Sequence, residues 1–219
     1  KALRICRTEL WNVNQMGGWH SGYGQIAQLQ PVGTAELREQ SLARWSKMAT
    51  YIDQEIENLK QGLKLGYSAP KTVVQRVIDQ VDGILSLELE KSPFYSPAVR
   101  DPEEQFSATT ADIVTNQVYP AFQRYRDYLA GSYMENARAE LSVTANPDGL
   151  ACYEASLQAY TTLSRSGQEV YELGQATVAA NKARVIELGQ AAYGLDDFKE
   201  ILDKAKNDPS NSFADKDEL

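Results

Sequence analysis

Pro70-Lys71-Thr72-Val73-Val74-Gln75-Arg76-Val77-Ile78-Asp79-Gln80-Val81-Asp82-Gly83-Ile84-Leu85 is the stretch that decides the fold class. It is dense in β-branched residues, which favour strands. Yet Val73, Val74, Val77, Ile78, Val81, Ile84 and Leu85 recur with a period of roughly 3.6 rather than 2, which is the spacing of one helix face. Pro70 suits a first helical turn, where its missing N–H costs nothing. The segment therefore reads as an amphipathic helix. The rest of the chain follows it, and no stretch alternates convincingly as a strand. Leu141-Ser142-Val143-Thr144 is the one short strand candidate. The fold class is all-α, a multi-helix array of long antiparallel helices, one of them kinked by a proline.

Working outward, residues 1–15 read as a helix with Leu3, Cys6, Leu10 and Val13 on one face, ended by Gly17-Gly18. A glycine-rich aromatic loop, Trp19 to Gly24, follows. Pro31 and Gly33 mark a turn, and Thr34 caps a helix through Leu37, Leu42, Trp45 and Met48. After a break near Thr50 that helix resumes through Ile52, Ile56, Leu59 and Leu63, and Gly66 closes it. Pro93, Pro97 and Pro102 make residues 91–103 a loop. A long helix from about Thr110 to about Glu140 carries the face Ile113, Val114, Val118, Phe122, Tyr125, Leu129 and Tyr133, with Pro120 as its kink. Asn146-Pro147-Asp148-Gly149 is a turn. Helices then span Leu150–Leu163 and Gly167–Tyr193, the second with Val170, Leu173, Val178, Val185 and Leu188 inward. Asp196 caps a short helix through Phe198, Ile201 and Leu202, and Asn207-Asp208-Pro209 is the final turn. One helical domain, 1–219, is expected, with a soft boundary in 91–107.

Both ends read as trimmed: the chain opens on Lys1 rather than Met, and Ser212 begins a helix with acids in its first turn. Lys216-Asp217-Glu218-Leu219 also spells an endoplasmic-reticulum retention signal. The helix start is the preferred reading.

The 219 residues carry a net charge of -8. Phosphate backbones and anionic membrane surfaces would be repelled, so nucleic acid is not an expected partner. Mean hydropathy is -0.46, and no apolar run is long enough for a membrane-spanning helix. Cys6 and Cys152 form no metal-binding spacing. They read either as one disulfide in an oxidising compartment or as two separate buried thiols.

The chemistry is bounded by a single histidine, His20. A His-Glu-x-x-His zinc site needs two. Gly18-Trp19-His20-Ser21-Gly22 misses the Gly-x-Ser-x-Gly spacing of a nucleophile elbow, so His20 reads as a loop histidine bonded locally. Gly22-Tyr23-Gly24-Gln25-Ile26-Ala27 matches a dinucleotide fingerprint but lacks the preceding strand. Acid pairs such as Glu55 with Glu57 and Glu88 with Glu90 read as solvated faces. Most tyrosines fall at helical spacing and read as core. Trp11 and Trp19 differ: they flank Asn12, Asn14, Gln15, Gly17 and Gly18, the amides and glycines that a backbone-binding surface uses. Trp11, Asn14, Gln15 and Trp19 are the candidate binding residues, and no catalytic or metal-ligating residue is assigned.

Trp11-Asn12-Val13-Asn14-Gln15-Met16-Gly17-Gly18-Trp19 resembles the domain-of-unknown-function 885 family of bacteria. The resemblance continues through Gln30-Pro31-Val32-Gly33-Thr34, through Tyr51 to Pro70, at Ser92-Pro93-Phe94 and at Val118-Tyr119-Pro120-Ala121-Phe122. It ends with Asn146-Pro147-Asp148-Gly149, Tyr153, Glu172-Leu173-Gly174 and Asp208-Pro209. It implies an early-to-middle portion of a longer helical protein, secreted or lipid-anchored at the bacterial envelope. Members resemble gluzincin-type zinc peptidases whose His-Glu-x-x-His helix lies in the C-terminal half. On that resemblance this chain is a wall or lid of a peptidase-like cleft, without catalysis of its own. Zinc belongs to the intact protein, with peptide as substrate and the C-terminal half as partner. Self-association through an exposed apolar face is the alternative partner. Thr161-Thr162-Leu163-Ser164-Arg165-Ser166-Gly167 departs from the family, where a histidine often stands. That departure opens the second reading, a non-catalytic helical binding protein for peptide or another ligand.

Overall fold

In the computed structural model, which describes residues 2–213, α5 (Lys71–Leu85) is the helix its periodicity predicts. Val74, Val77, Ile78 and Val81 are buried. Pro70 precedes it in extended conformation. The buried face packs on α8 (Tyr119–Tyr128), and α4 (Met48–Lys64) packs on α8 as well. Ile52, Ile56 and Leu59 of α4 meet Phe122 and Tyr125 of α8 in one apolar cluster, which Trp45 and Phe94 extend. All-α architecture holds: among the described residues the one β-type contact is an isolated parallel bridge from Pro70 to Arg138. Leu141–Thr144 forms no strand, and a 3-10 turn covers Val143–Ala145.

The long helix begins earlier than its sequence pattern suggests. α7 (Glu104–Ile113) is capped by Glu103, whose carboxylate accepts from the N–H of Gln105 and Phe106. A π-turn, Val114–Val118, leads into α8, and a second, Leu129–Tyr133, leads into α9 (Met134–Asn136). Pro120 would collide with the carbonyl four residues back in a regular helix. The widened turn immediately before it relieves that collision, as π-bulges do. The sharpest departure lies further on, at Gly131, whose φ and ψ of -93° and -115° leave the helical region.

The N-terminal region departs most from expectation. α1 (Ala2–Cys6) stops at Arg7, which takes a left-handed φ of 46°, so residues 1–15 are not one helix. A 3-10 turn, Thr8–Leu10, follows. Trp19–Leu29 is helix α2, not a loop. Its glycines permit close packing: Gly24 lies against Pro93, where an added Cβ would meet the proline Cγ at 3.3 Å. Tertiary contact overrides glycine's weak helix propensity here. α3 (Ala35–Trp45) is capped by Thr34, and the break before α4 comes at Ser46 and Lys47, ahead of Thr50. Residues 91–103 are not plain loop. Turns at Leu89–Lys91 and Pro93–Tyr95 precede α6 (Ser96–Arg100), with Pro93 and Pro97 in first-turn positions. Asp101 then receives the Arg38 guanidinium in two hydrogen bonds of 2.7 and 2.9 Å, plus the Gly33 N–H.

The chain forms two compact units, Lys1–Ala155 and Ser156–Leu219. The division falls inside α10 (Gly149–Thr161). In the second unit, α11 (Gly167–Tyr193) opens on a reciprocal capping box between Ser166 and Glu169 and ends at Gly194, left-handed at φ 68°. α12 (Phe198–Asn207) is capped by Asp197 rather than Asp196. Ile201 of α12 is buried against Gly189 of α11. Leu173, Val178 and Leu188 are not inward: each is half-exposed or more, and Val170 and Val185 are only partly buried. The side chain of Leu3, the helix read after Ser212 and the Lys216–Leu219 tetrapeptide lie outside the described residues.

Two glycines inside helices predict opposite signs. An added Cβ at Gly62 would strike the Leu10 carbonyl, whereas nothing lies within 4 Å at Gly83. Gly62→Ala should cost about 1–3 kcal/mol by overpacking. Gly83→Ala should stabilise by about 0.5–1 kcal/mol through helix propensity. Urea unfolding midpoints of the two variants check both signs. Arg38 holds the Asp101 carboxyl below its usual value of 3.8. A depressed carboxyl stabilises above its unfolded value and loses that contribution as pH falls through the folded one. Asp101→Asn should therefore lower stability at pH 7, and the gap from the parent should close below pH 3.8, read by thermal unfolding across pH.

Candidate functional site

The irregular segment between Leu10 and Trp19 forms one wall of a cleft of about 330 Å³. Trp11, Asn14 and Gln15 line it, together with Pro70, Val73 and Arg138. A larger, more open depression of about 630 Å³ lies between α3 and α7. Its guanidinium, Arg38, is already spent on Asp101.

The cleft's polar groups are not all committed. Trp11 donates its indole N–H to the Cys6 carbonyl at 2.9 Å, which fixes the ring. The Arg138 guanidinium lies over that ring, 5.6 Å from its centre, a cation–π arrangement. Asn14 Oδ1 accepts from the N–H of Met16 and Gly17, which shapes the turn and leaves its Nδ2 without a partner among the described residues. Gln15 is held through its backbone: its carbonyl accepts from Gln80 Nε2 at 3.0 Å, and its own amide makes no hydrogen bond. Asn12, by contrast, is engaged with the buried Glu55, donating at 2.9 Å.

Arg138 is positioned at several points. Its N–H donates to Ser68 Oγ, and its carbonyl accepts from Lys71 N. Nε donates to the Glu140 carbonyl at 3.0 Å, and Nη1 to Asn146 Oδ1 at 3.1 Å. Among the described residues Nη2 has no hydrogen-bond partner and no carboxylate lies within ion-pair distance of this guanidinium. Burial lowers the Arg138 pKa from its ordinary value, opposed by Tyr133 and Glu140. A partly desolvated cation without its counter-ion is costly, and an incoming anion relieves that cost.

Trp19 does not line this cleft. It is 9% exposed and packs at 4.7 Å from the Tyr125 ring and 5.6 Å from the Phe122 and Tyr51 rings. His20, read from sequence as a loop residue, is a helix residue in α2 and 1% exposed. Its Nε2 donates to Gln80 Oε1 at 2.9 Å, and burial lowers its pKa. Arg138, Pro70 and Val73 were not visible as site residues, because the fold brings them to Trp11 from far along the chain. The one sequence signal near them was the Asn146-to-Gly149 turn, whose Asn146 fixes Arg138.

Cys6 and Cys152 are joined in a disulfide that ties α1 to α10. No group of three or more His, Cys, Asp or Glu among the described residues is arranged to hold a metal ion. The lone histidine is buried on Gln80, and the zinc that the resemblance implies belongs to the C-terminal half of the intact protein.

No curated protein is significantly similar to this chain. A crystal structure of a "putative lipoprotein from Colwellia psychrerythraea" is similar in fold, with a TM-score of 0.83 at 20% identity. The similarity covers 91% of this chain and 36% of that one, so the chain spans about a third of that protein's length. The family described as "Bacterial protein of unknown function (DUF885)" matches residues 2–219, and the chain belongs to that family.

Proposed function

We propose that this chain is the substrate-side helical portion of a zinc-metallopeptidase-like hydrolase of the bacterial envelope, and that it is not catalytic by itself. The observation that carries the reading is the cleft in which the Trp11 ring and Arg138 stand beside the uncommitted amides of Asn14 and Gln15. Peptide groups need donors, acceptors and flat apolar area in one groove, and these residues supply all three. The reaction itself comes from the resemblance to gluzincin-type peptidases. No step is assigned to a residue of this chain. The chain's contribution is to orient a peptide and to shield one side of it from water.

The envelope assignment rests on the Cys6–Cys152 disulfide, which persists in oxidising compartments. No helix of the described residues is long and apolar enough to cross a membrane. In the intact protein, exposed apolar side chains of α11 pack against the remaining part of the fold. Tyr171 and Val178, two turns apart on one side of α11, are 63% and 67% exposed. By itself the chain would bring such surfaces together in self-association.

Four outcomes test the reading. The product of the complete gene, supplied with zinc, should hydrolyse peptides, and a chelator should abolish turnover. Trp11→Ala in that protein should raise KM about tenfold with little change in kcat, as loss of uniform binding does. Peptide binding without chelator-sensitive turnover would instead make the protein a non-catalytic binding module. Reduction of the disulfide, or the Cys6→Ser/Cys152→Ser pair, should cost about 2–5 kcal/mol in urea unfolding. The 219-residue chain should self-associate in sedimentation, and Tyr171→Glu/Val178→Glu should shift it toward monomer; an unchanged distribution removes α11 from the interface.

A further inference from the structure

The charge of the cleft runs against the charge of the protein. The chain is acidic overall, at -8. Yet among the described residues the cleft lining contains one ionisable side chain, Arg138, and no carboxylate. That guanidinium is held in place by backbone and side-chain bonds on Nε and Nη1, and its Nη2 is left over. Three other arginines of this unit are paired with carboxylates, Arg38 with Asp101, Arg124 with Asp53 and Arg126 with Asp82, while Arg44 and Arg100 meet neutral oxygens outside the cleft. Glu140, nearest in sequence, accepts from Arg138 through its backbone carbonyl and attracts it at longer range, without forming an ion pair. The leftover donors at the cleft are Arg138 Nη2, Asn14 Nδ2 and the Gln15 amide, all suited to an oxygen anion. Beside them stand the Trp11 ring and the apolar edges of Pro70 and Val73.

We propose that the cleft takes a carboxylate of its peptide ligand on Arg138, with an apolar or aromatic neighbouring side chain laid on Trp11. This rests on reading the cleft as a ligand groove. The carboxylate is either the peptide's own C-terminus or an aspartate or glutamate side chain; the recognising chemistry is the same. The cleft volume sits at the small end of the range of about 300–1,000 Å³ usual for ligand sites, which suits one or two residues rather than a long segment. A guanidinium pre-positioned by its own hydrogen bonds loses little freedom on binding, which favours affinity for a short ligand.

The test is equilibrium binding to the 219-residue chain, followed by calorimetry, with three acetylated peptides of one phenylalanine-containing sequence. One ends in a free carboxylate, one is amidated, and one is amidated with a glutamate beside the phenylalanine. At least one carboxylate-bearing peptide should bind roughly tenfold tighter than the neutral amide, a usual margin for a charge-assisted pair. Which of the two does so identifies the terminal or the side-chain carboxylate. Arg138→Gln should erase the difference and Arg138→Lys should restore part of it. Arg138 also braces Asn146, so a variant that leaves it untouched is needed: Gln15→Glu should weaken the carboxylate peptides about tenfold more than it weakens the neutral one. Equal binding of all three peptides overturns the carboxylate assignment while the groove reading stands. Binding of none of them removes the groove reading and this proposal together.

Discussion

The turn between α4 and α5 is where the first unit is tied together. Pro70 gives no N–H, and the three backbone donors around it are satisfied from distant parts of the chain. Ser68 N donates to Asn146 Oδ1 at 3.1 Å, Ala69 N to Tyr133 Oη at 2.9 Å, and Lys71 N to the Arg138 carbonyl at 2.8 Å. Ser68 and Ala69 are buried, and a buried N–H without a partner is costly. The end of the long helix, the segment after it and the Asn146 turn must therefore all return to this point. α5 starts where it does because of that return. The fully buried Tyr133, with its hydroxyl titration pushed up to about 12 by burial, stays a neutral acceptor throughout the physiological range. The cleft is a by-product of the same junction, since Arg138 and Pro70 reach it from the two sides of one bridge.

Legibility in the sequence followed how local each determinant was. α5 could be read because its apolar period and its leading proline are both local. The bounds of α11 could be read for the same reason: Ser166, Glu169 and Gly194 are capping residues acting within one turn. What faces α11 could not be read, because inward and outward are decided by neighbours. Leu173 and Val178 looked like core in the periodicity and are exposed. α2 failed in the opposite direction. Its glycines argue against a helix when taken alone, and only the approach of Pro93 to Gly24 shows why small residues are required there.

The candidate site divides along the same line. Trp11 and Trp19 stand in similar local sequence, among amides and glycines, and nothing local separates them. The fold does: Trp19 begins a helix aimed into the aromatic cluster, while Trp11 lies in an irregular segment whose backbone turns its ring toward Arg138. Arg138 itself was not readable. It sits more than a hundred residues from Trp11 in sequence, and its significance lies in lacking a carboxylate partner, which no sequence pattern reports.

His20 connects the core to this cleft. Its Nε2 can donate to Gln80 Oε1 only if that nitrogen carries the proton, and Gln80 then turns its Nε2 to the Gln15 carbonyl. The imidazole ring also lies against Gly18, where an added Cβ would meet its Cε1 at 2.5 Å. A buried, neutral histidine thus sets the direction of an amide whose far end fixes the cleft wall. Neutrality matters in this arrangement, because burial opposes the imidazolium and Gln80 offers it no compensating charge. The single histidine, which at first suggests chemistry, is better accounted for as the residue that holds the segment from Trp11 to Gly18 in its open, irregular shape. That shape leaves Asn14 and Gln15 with amide groups to spare, which a regular helix through residues 1–15 would have scattered around its circumference.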